Sequence, residues 1–265
     1  MIKIIFIADI IGKIGRNAIN LYLPHLKKKY QPDLVIANAE NLAHGIGFTK
    51  KTLDEMHTAG IDGFTSGNHA WEKAGSDEVL NNLSNKIIRP ANYPKTKSGK
   101  GWMEFKIGEN NLIVINLLGR VFIDEKVHSP FAVLDKIIAK DRKALYLVDF
   151  HAEATSEKAA LANYFDGRVA AIIGTHTHVQ TADEQILEGG TGFISDAGMV
   201  GYKDSIIGSN RQQILNMFLG IGKSSKKHDL PAYGKVILNA VYLEICPRQR
   251  KTIKIERINK IIEVK

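Results

Sequence analysis

Cysteine is almost missing from this chain: Cys246 is alone among 265 residues. No disulfide can therefore close within it, and any metal site must be built from His, Asp, Glu and Asn. Long apolar runs are missing too, since no uninterrupted stretch approaches the roughly 20 residues that span a bilayer. The apolar amino terminus is broken by Asp9, and no small-residue cleavage site follows before Gly12-Lys13. It reads as a first β-strand and not as a signal peptide. The expectation is a soluble, cytoplasmic protein with no membrane partner. Nucleotide-loop signatures are also absent. Gly12-Lys-Ile-Gly15 lacks the Gly-x-Gly-x-x-Gly spacing, and Gly222-Lys-Ser224 has Met217 where a phosphate loop needs its first glycine. The contiguous Ser66-Gly-Asn-His69 is not a serine-esterase signature, because those four residues belong to separate blocks in such enzymes and no Gly-x-Ser-x-Gly elbow occurs. There is no internal repeat and no low-complexity linker.

Hydrophobic residues make up 44% of the chain and charged residues 24%, the balance of one globular domain over residues 1–265. The formal charge of +8 favours anionic partners. The excess is diffuse, in short runs such as Lys27-Lys28-Lys29, and no basic stripe with interleaved aromatics marks a nucleic-acid groove. In Thr252-Ile-Lys-Ile-Glu-Arg-Ile258 the lysines alternate with isoleucines, which places them on the wet face of a strand.

The organisation is alternating. A strand from Lys3 leads to Asp9; a helix follows from about Arg16 to Lys29; strands start at Leu34 and Ile61 with a helix between them, N-capped by Thr49. This pattern implies right-handed βαβ units and a parallel sheet. Trp102 to Leu118 reads as an antiparallel hairpin turning at Gly108-Glu-Asn-Asn111, and Gln185 to Ser195 as another turning at Gly189-Gly190. Strands also run through Leu145–His151 and Val169–Gly174, with a helix from Glu157 to Tyr164. Residues 199–234 read as a helical and loop-like insertion near the site, with a helix from Arg211 to Leu219, before two long strands near Lys235–Ile245 and Lys251–Asn259. The fold class is α/β: two sheets with helices outside.

Five strands end in residues that bind metals. Gly174-Thr-His-Thr-His178 presents His176 and His178 directly after an apolar strand, and other runs end at Asp9, at Glu40-Asn41, at His151 and just before Asn68-His69. Ligands gather outside the carboxyl ends of parallel strands, so these residues can converge. Two divalent ions close together need about seven protein ligands with a bridging carboxylate. Asp9 and Glu40 supply carboxylates, His151, His176 and His178 imidazoles, and Asn41 and Asn68 neutral oxygens. His69 is left over beside Asn68, at the edge of the metal site, where it can protonate a leaving alkoxide. His44 and Arg120 are weaker candidates for phosphate contact. His25, His57, His128 and His228 are read as structural or solvated.

Gly67-Asn-His69 and Gly174-Thr-His-Thr-His178 resemble the calcineurin-like metallophosphoesterases, whose blocks run Asp-x-His, Gly-Asp-x-x-Asp, Gly-Asn-His, His and Gly-His-x-His. Two departures are specific: Asp9-Ile-Ile11 lacks the first-block histidine, and Glu40 replaces the bridging Asp. With Ala8-Asp-Ile-Ile-Gly12, Ser66-Gly-Asn-His-Ala-Trp-Glu72, Leu118-Gly-Arg-Val-Phe122 and His176-Thr-His-Val-Gln-Thr-Ala-Asp183, the chain is similar to the bacterial YmdB-type family along nearly its whole length. The resemblance implies a four-layer αββα sandwich with a small helical cap, assigned here to residues 199–234. It implies one metal on Asp9, Glu40, Asn41 and His178, another on Glu40, Asn68, His151 and His176, and His69 as catalytic acid. Asn41 then takes the role of the missing histidine. The implied activity is cyclic-nucleotide phosphodiesterase, on 2′,3′- or 3′,5′-cyclic substrates, through a hydroxide bridging two divalent or mixed-valence metals. Iron or manganese is expected, and zinc suits the same oxygen and nitrogen ligands. The family's regulatory effects leave an alternative, an RNA- or protein-binding regulator with weak or secondary hydrolysis. RNA and a second copy of the chain are the further partners considered.

Overall fold

A computed structural model describes residues 1–221 and 230–265. Lys223 to Lys227, His228 and the Gly222-Lys-Ser224 motif lie outside the described residues. The chain runs β1 (Ile2–Ile7), β2 (Asp9–Ile10), α1 (Gly12–Tyr30), β3 (Leu34–Asn38), α2 (Lys50–Ala59), β4 (Gly63–Thr65), α3 (Ser76–Asn81), β5 (Trp102–Ile107), β6 (Asn110–Leu118) and α4 (Pro130–Ile138). It continues through β7 (Leu145–His151), α5 (Thr155–Tyr164), β8 (Ala171–Thr175), β9 (Gln185–Ile186), β10 (Gly192–Ile194), β11 (Met199–Tyr202), α6 (Arg211–Phe218), β12 (Gly234–Cys246) and β13 (Lys251–Val264).

Two sheets form. One has the order β2-β11-β12-β1-β3-β4 with β13 on the far edge of β12; the other has β5-β6-β7-β8-β10-β9. The expected parallel pairs are present: β1 with β3, β3 with β4, β6 with β7, and β7 with β8. The hairpins β5–β6 and β9–β10 are antiparallel, as their turn residues predict.

Strand alternation builds the layers. Ile5 and Ile7 of β1 pack with Leu23 of α1 and Leu53 and Met56 of α2, whereas Ile4 and Phe6 turn inward against Val114 of β6 and Leu147 of β7. On the second sheet Tyr146 and Val148 of β7 face the opposite way, against Leu134 of α4 and Leu161 of α5. Among the described residues three apolar cores thus lie between four layers, the αββα sandwich that the family resemblance implies. Among the described residues no helix is long and apolar enough to cross a membrane.

Three details differ from the sequence reading. Helix α1 starts at Gly12, not near Arg16, because Gly15 lets it press against β11: a Cβ there would overlap the Val200 carbonyl oxygen. The segment 199–234 opens with a sheet strand, since Met199 and Val200 pair with β2 and Val200 to Tyr202 with β12. Its partner in β12 is more than 30 residues away, which no local pattern reveals. Finally, β13 does not sort cleanly into dry isoleucines and wet lysines. Lys254 and Lys260 are exposed, but so are Ile253 and Ile261, because the strand is a sheet edge and a bulge between Glu244 and Ile245 shifts the register.

Candidate active site

The parallel strands bring their carboxyl ends to one rim. Asp9 opens β2, Glu40 and Asn41 follow β3, Asn68 and His69 follow β4, His151 closes β7, and His176 and His178 follow β8. A cavity of about 280 Å³ is lined by Glu40, Asn41, His69, His151, Glu153, His176, Thr177, His178, Ile207 and Ser209. Asp9 lies fully buried beneath it. The seven residues expected as ligands, and His69, are therefore brought together. Arg120 is not: it is exposed and borders a different cleft with Glu125, Lys126 and His128. His44 is exposed on the loop after Asn41, in left-handed backbone, and does not line the cavity.

Hydrogen bonding fixes which atoms face inward. The Thr175 hydroxyl donates its one proton to Asp149 Oδ1 at 2.7 Å, so at 2.9 Å it can only accept from His151 Nδ1. His178 Nδ1 donates to the Ile207 carbonyl at 2.8 Å. His176 Nε2 lies 3.2 Å from Glu153 Oε2, an ion-pair contact. His151 and His178 thus spend their Nδ1 protons outward and turn the Nε2 lone pair inward. Burial reinforces this by holding the pKa of His151 well below, and those of His176 and His178 below, the ordinary imidazole range.

Inward, His178 Nε2 meets another acceptor in Asn41 Oδ1, while His176 Nδ1 lies at hydrogen-bond distance from the His151 lone pair. His176 Nδ1 is 3.1 Å from His151 Nε2, and His178 Nε2 is 3.2 Å from Asn41 Oδ1, whose amide nitrogen is already committed to the Gly45 carbonyl at 2.8 Å. His151 Nε2 is 3.7 Å from Glu40 Oε1, and His178 Nε2 is 3.7 Å from Asp9 Oδ1. Both carboxylate oxygens of Asp9, Oε2 of Glu40 and Oδ1 of Asn68 are buried and meet no hydrogen-bond donor among the described residues. Burial, followed for Asp9 by the charge of Asp196, raises the Asp9 carboxyl well above the usual range, and burial does the same to Glu40. Unpaired buried acceptors are costly, about 1–3 kcal/mol each, so a cluster of them calls for positive charge.

Among the described residues no group of three or more His, Cys, Asp and Glu side chains is arranged to hold a metal ion as it stands. The orphaned atoms are nevertheless chemical deficits of the same residues that strand topology collects, with His151 Nε2 at 3.1 Å from His176 Nδ1 and 3.7 Å from Glu40 Oε1. The oxygen and nitrogen donor set fits divalent cations.

Some of the site was not anticipated. Glu153 follows His151 by two residues and holds His176; Ile207 and Ser209 come from the segment before α6 and hold or flank His178. Nothing in the local sequence ties Ile207 to a histidine 29 residues earlier. Asp149 sits behind His151 and also accepts from Asn38 at 3.0 Å, with burial raising its pKa to about 7. His57 bonds the carbonyls of Ile61 and Asn85, the structural role expected for it.

This αββα sandwich is of the metallophosphoesterase type, and because the relatives it matches are named phosphodiesterase and phosphatase, the chain is a phosphoester hydrolase. The chain matches the YmdB-like protein family over residues 5–258 and belongs to that family. It is 43% identical over 263 residues to a Bacillus subtilis (strain 168) protein named 2′,3′-cyclic-nucleotide 2′-phosphodiesterase, covering 97% of this chain and 96% of the other. A solved structure of a phosphatase from Mycoplasma pneumoniae superposes with a TM-score of 0.91 at 38% identity, over 99% of this chain and 94% of that one. A hypothetical protein from Thermus thermophilus superposes at 0.90 with 35% identity over all of both chains.

Proposed function

We propose that this chain hydrolyses a cyclic-nucleotide phosphodiester, with 2′,3′-cyclic nucleotides as the first substrates to test and 3′,5′-cyclic nucleotides as the second. The observation that carries the reading is the set of orphaned acceptors on Asp9, Glu40 and Asn68, beside the inward Nε2 lone pairs of His151 and His178. Asp9, Glu40, Asn41 and His178 would hold one divalent cation, and Glu40, Asn68, His151 and His176 a second, with iron or manganese preferred. When bound, such cations supply the activated nucleophile and the charge neutralisation that phosphodiester hydrolysis needs. The chain's own residues do the rest. Thr175 and Ile207 set the tautomers of His151 and His178, and Glu153 lies beside His176 Nε2. The His69 amide donates to Glu40 Oε1 at 2.7 Å and steadies that carboxylate. The His69 ring is about one-third exposed on the cavity wall, 3.9 Å from Glu72 Oε1, and protonates the departing oxygen. Burial lowers its pKa, while Glu72 and Glu125 oppose that shift.

The choice of substrate draws on the name of the Bacillus subtilis relative. The test is elemental analysis of the purified protein together with a panel of 2′,3′-cyclic nucleotides, 3′,5′-cyclic nucleotides and short RNA. Metal at about two equivalents with turnover of a cyclic nucleotide is the expected result. A metal-free protein, or turnover of RNA alone, would reject the reading.

A further inference from the structure

Behind the His-x-His loop lies a charged pair that the catalytic reading does not use. Lys158 on α5 and Asp196 after β10 are each about 1% exposed, and Lys158 Nζ donates to Asp196 Oδ2 at 2.8 Å. A buried ion pair is a poor source of stability, because desolvating both charges offsets most of their attraction and an apolar pair often does as well. Its retention here needs another account.

The account comes from what else Asp196 holds. The same Oδ2 accepts the Thr177 amide at 3.0 Å, and Oδ1 accepts the Gly198 amide at 2.9 Å. Thr177 stands between His176 at φ 102° and His178 at φ 64°, both in left-handed backbone that residues with side chains avoid. Regular structure does not hold them, since β8 ends at Thr175. Glycine at 174 completes the arrangement. A Cβ there would overlap the Ser195 carbonyl oxygen and lie 3.0 Å from Lys158 Cδ, so the lysine stem passes against Gly174 on its way to Asp196.

We propose that Asp196, fixed by Lys158, is a positioning residue for the site: it anchors the Thr177 amide and so keeps the two flanking imidazoles turned toward Asp9, Asn41 and His151. This rests on the reading of the rim as a metal site. Neither residue lines the cavity, and beside the charge that Asp196 exerts on Asp9 the pair reaches the site through the loop. The order of events in the sequence supports the assignment. Asp196 lies 19 residues beyond Thr177, just past the strand that pairs with β8, so the clamp forms only when β8 and β10 are correctly registered.

The test replaces the pair with apolar residues, Lys158→Met with Asp196→Leu, and uses the near-isosteric Asp196→Asn as a second variant in case the first fails to fold. Three quantities are read on the whole chain: the midpoint of thermal unfolding, amide exchange at Thr177 without metal, and Mn²⁺ affinity by calorimetry. The double variant is expected to unfold within a few degrees of wild type, to lose Thr177 protection, and to bind Mn²⁺ about 10- to 100-fold more weakly, the usual effect of removing a group that orients a ligand. Asp196→Asn is expected to lose about tenfold. Mn²⁺ affinity within twofold of wild type in a folded variant that has lost Thr177 protection overturns the proposal, and so does a Thr177 amide that stays protected. If wild-type protein binds no Mn²⁺, the metal reading itself fails. The positioning role is then judged on the metal-free ring resonances of His176 and His178: a shift in the variants supports it and unchanged signals overturn it.

Discussion

Gly67→Ala should damage this protein more than a single methyl group ordinarily could. Gly67 sits between β4 and Asn68, buried, and its φ is not in the left-handed region, so the backbone itself would accept alanine. Space is the obstacle. A Cβ at 67 would overlap Cδ2 and Nε2 of His151 and come within 2.8 Å of Glu40 Cδ. Neither neighbour can step aside. His151 is fully buried and tied to Thr175, and Glu40 is held by the His69 amide. Overpacking of this kind costs about 1–3 kcal/mol. For a chain of this size that lowers the unfolding midpoint by roughly 2–4 °C per kcal/mol, hence by about 2–12 °C. The functional loss should be larger, because both displaced side chains are expected ligands; misplacing such groups costs about 10- to 100-fold in metal affinity. Gly108→Ala is the control. It has nothing within 4 Å but φ +58°, so it should cost roughly 1 kcal/mol of backbone strain and leave turnover unchanged. Scanning fluorimetry, Mn²⁺ calorimetry and cyclic-nucleotide turnover read all of these. Wild-type metal affinity and turnover in Gly67→Ala would refute the packing argument.

Three further outcomes are expected. Glu40→Gln should lower bound metal at both proposed positions, as elemental analysis would show; two full equivalents with unchanged activity would remove its bridging role. His69→Ala should cut cyclic-nucleotide turnover by about 10²–10⁴ with metal content intact, and by much less on a nitrophenyl ester whose anion departs unprotonated; equal losses on both would remove it from acid catalysis. Thr49→Ala should destabilise the chain by about 0.5–2 kcal/mol in urea without changing turnover, because Thr49 and Thr52 form a reciprocal cap at the start of α2, with Oγ1 of each accepting the other's amide at 3.3 and 3.0 Å.

Much of the rim was legible because each expected ligand follows or ends a short apolar strand, and parallel strands must deliver their carboxyl ends to one side. Asp9, Glu40, Asn68, His151 and His176 are placed by that topology alone, whatever their side chains do. The α/β class was legible for the same reason. What escaped reading depends on contacts between distant segments. Gly15 reads locally as part of a loop, yet its purpose is the approach of α1 to Val200, 185 residues later. Strand β11 is four residues long and has no signature apart from its partners β2 and β12.

The tautomers show where sequence reasoning stops and geometry begins. Three histidines in a row of motifs announce ligands, but only the partners decide which nitrogen is free. Those partners are a threonine for His151 and a backbone carbonyl for His178, neither of which announces that role in the sequence. Thr175 is informative because it lies inside the Gly174-Thr-His-Thr-His178 motif, where it looks like a spacer. Its hydroxyl links His151 on β7 to Asp149 on the same strand, and it does so because β7 and β8 are in register, with His151 opposite Thr175. The motif therefore carries three functions at alternate depths: Gly174 makes room for the Lys158 stem, Thr175 orients His151, and Thr177 offers its amide to Asp196 between the two histidines. A strand end that must satisfy all three at once has little freedom left, which is why its two histidines can be held in left-handed backbone on the rim of the site.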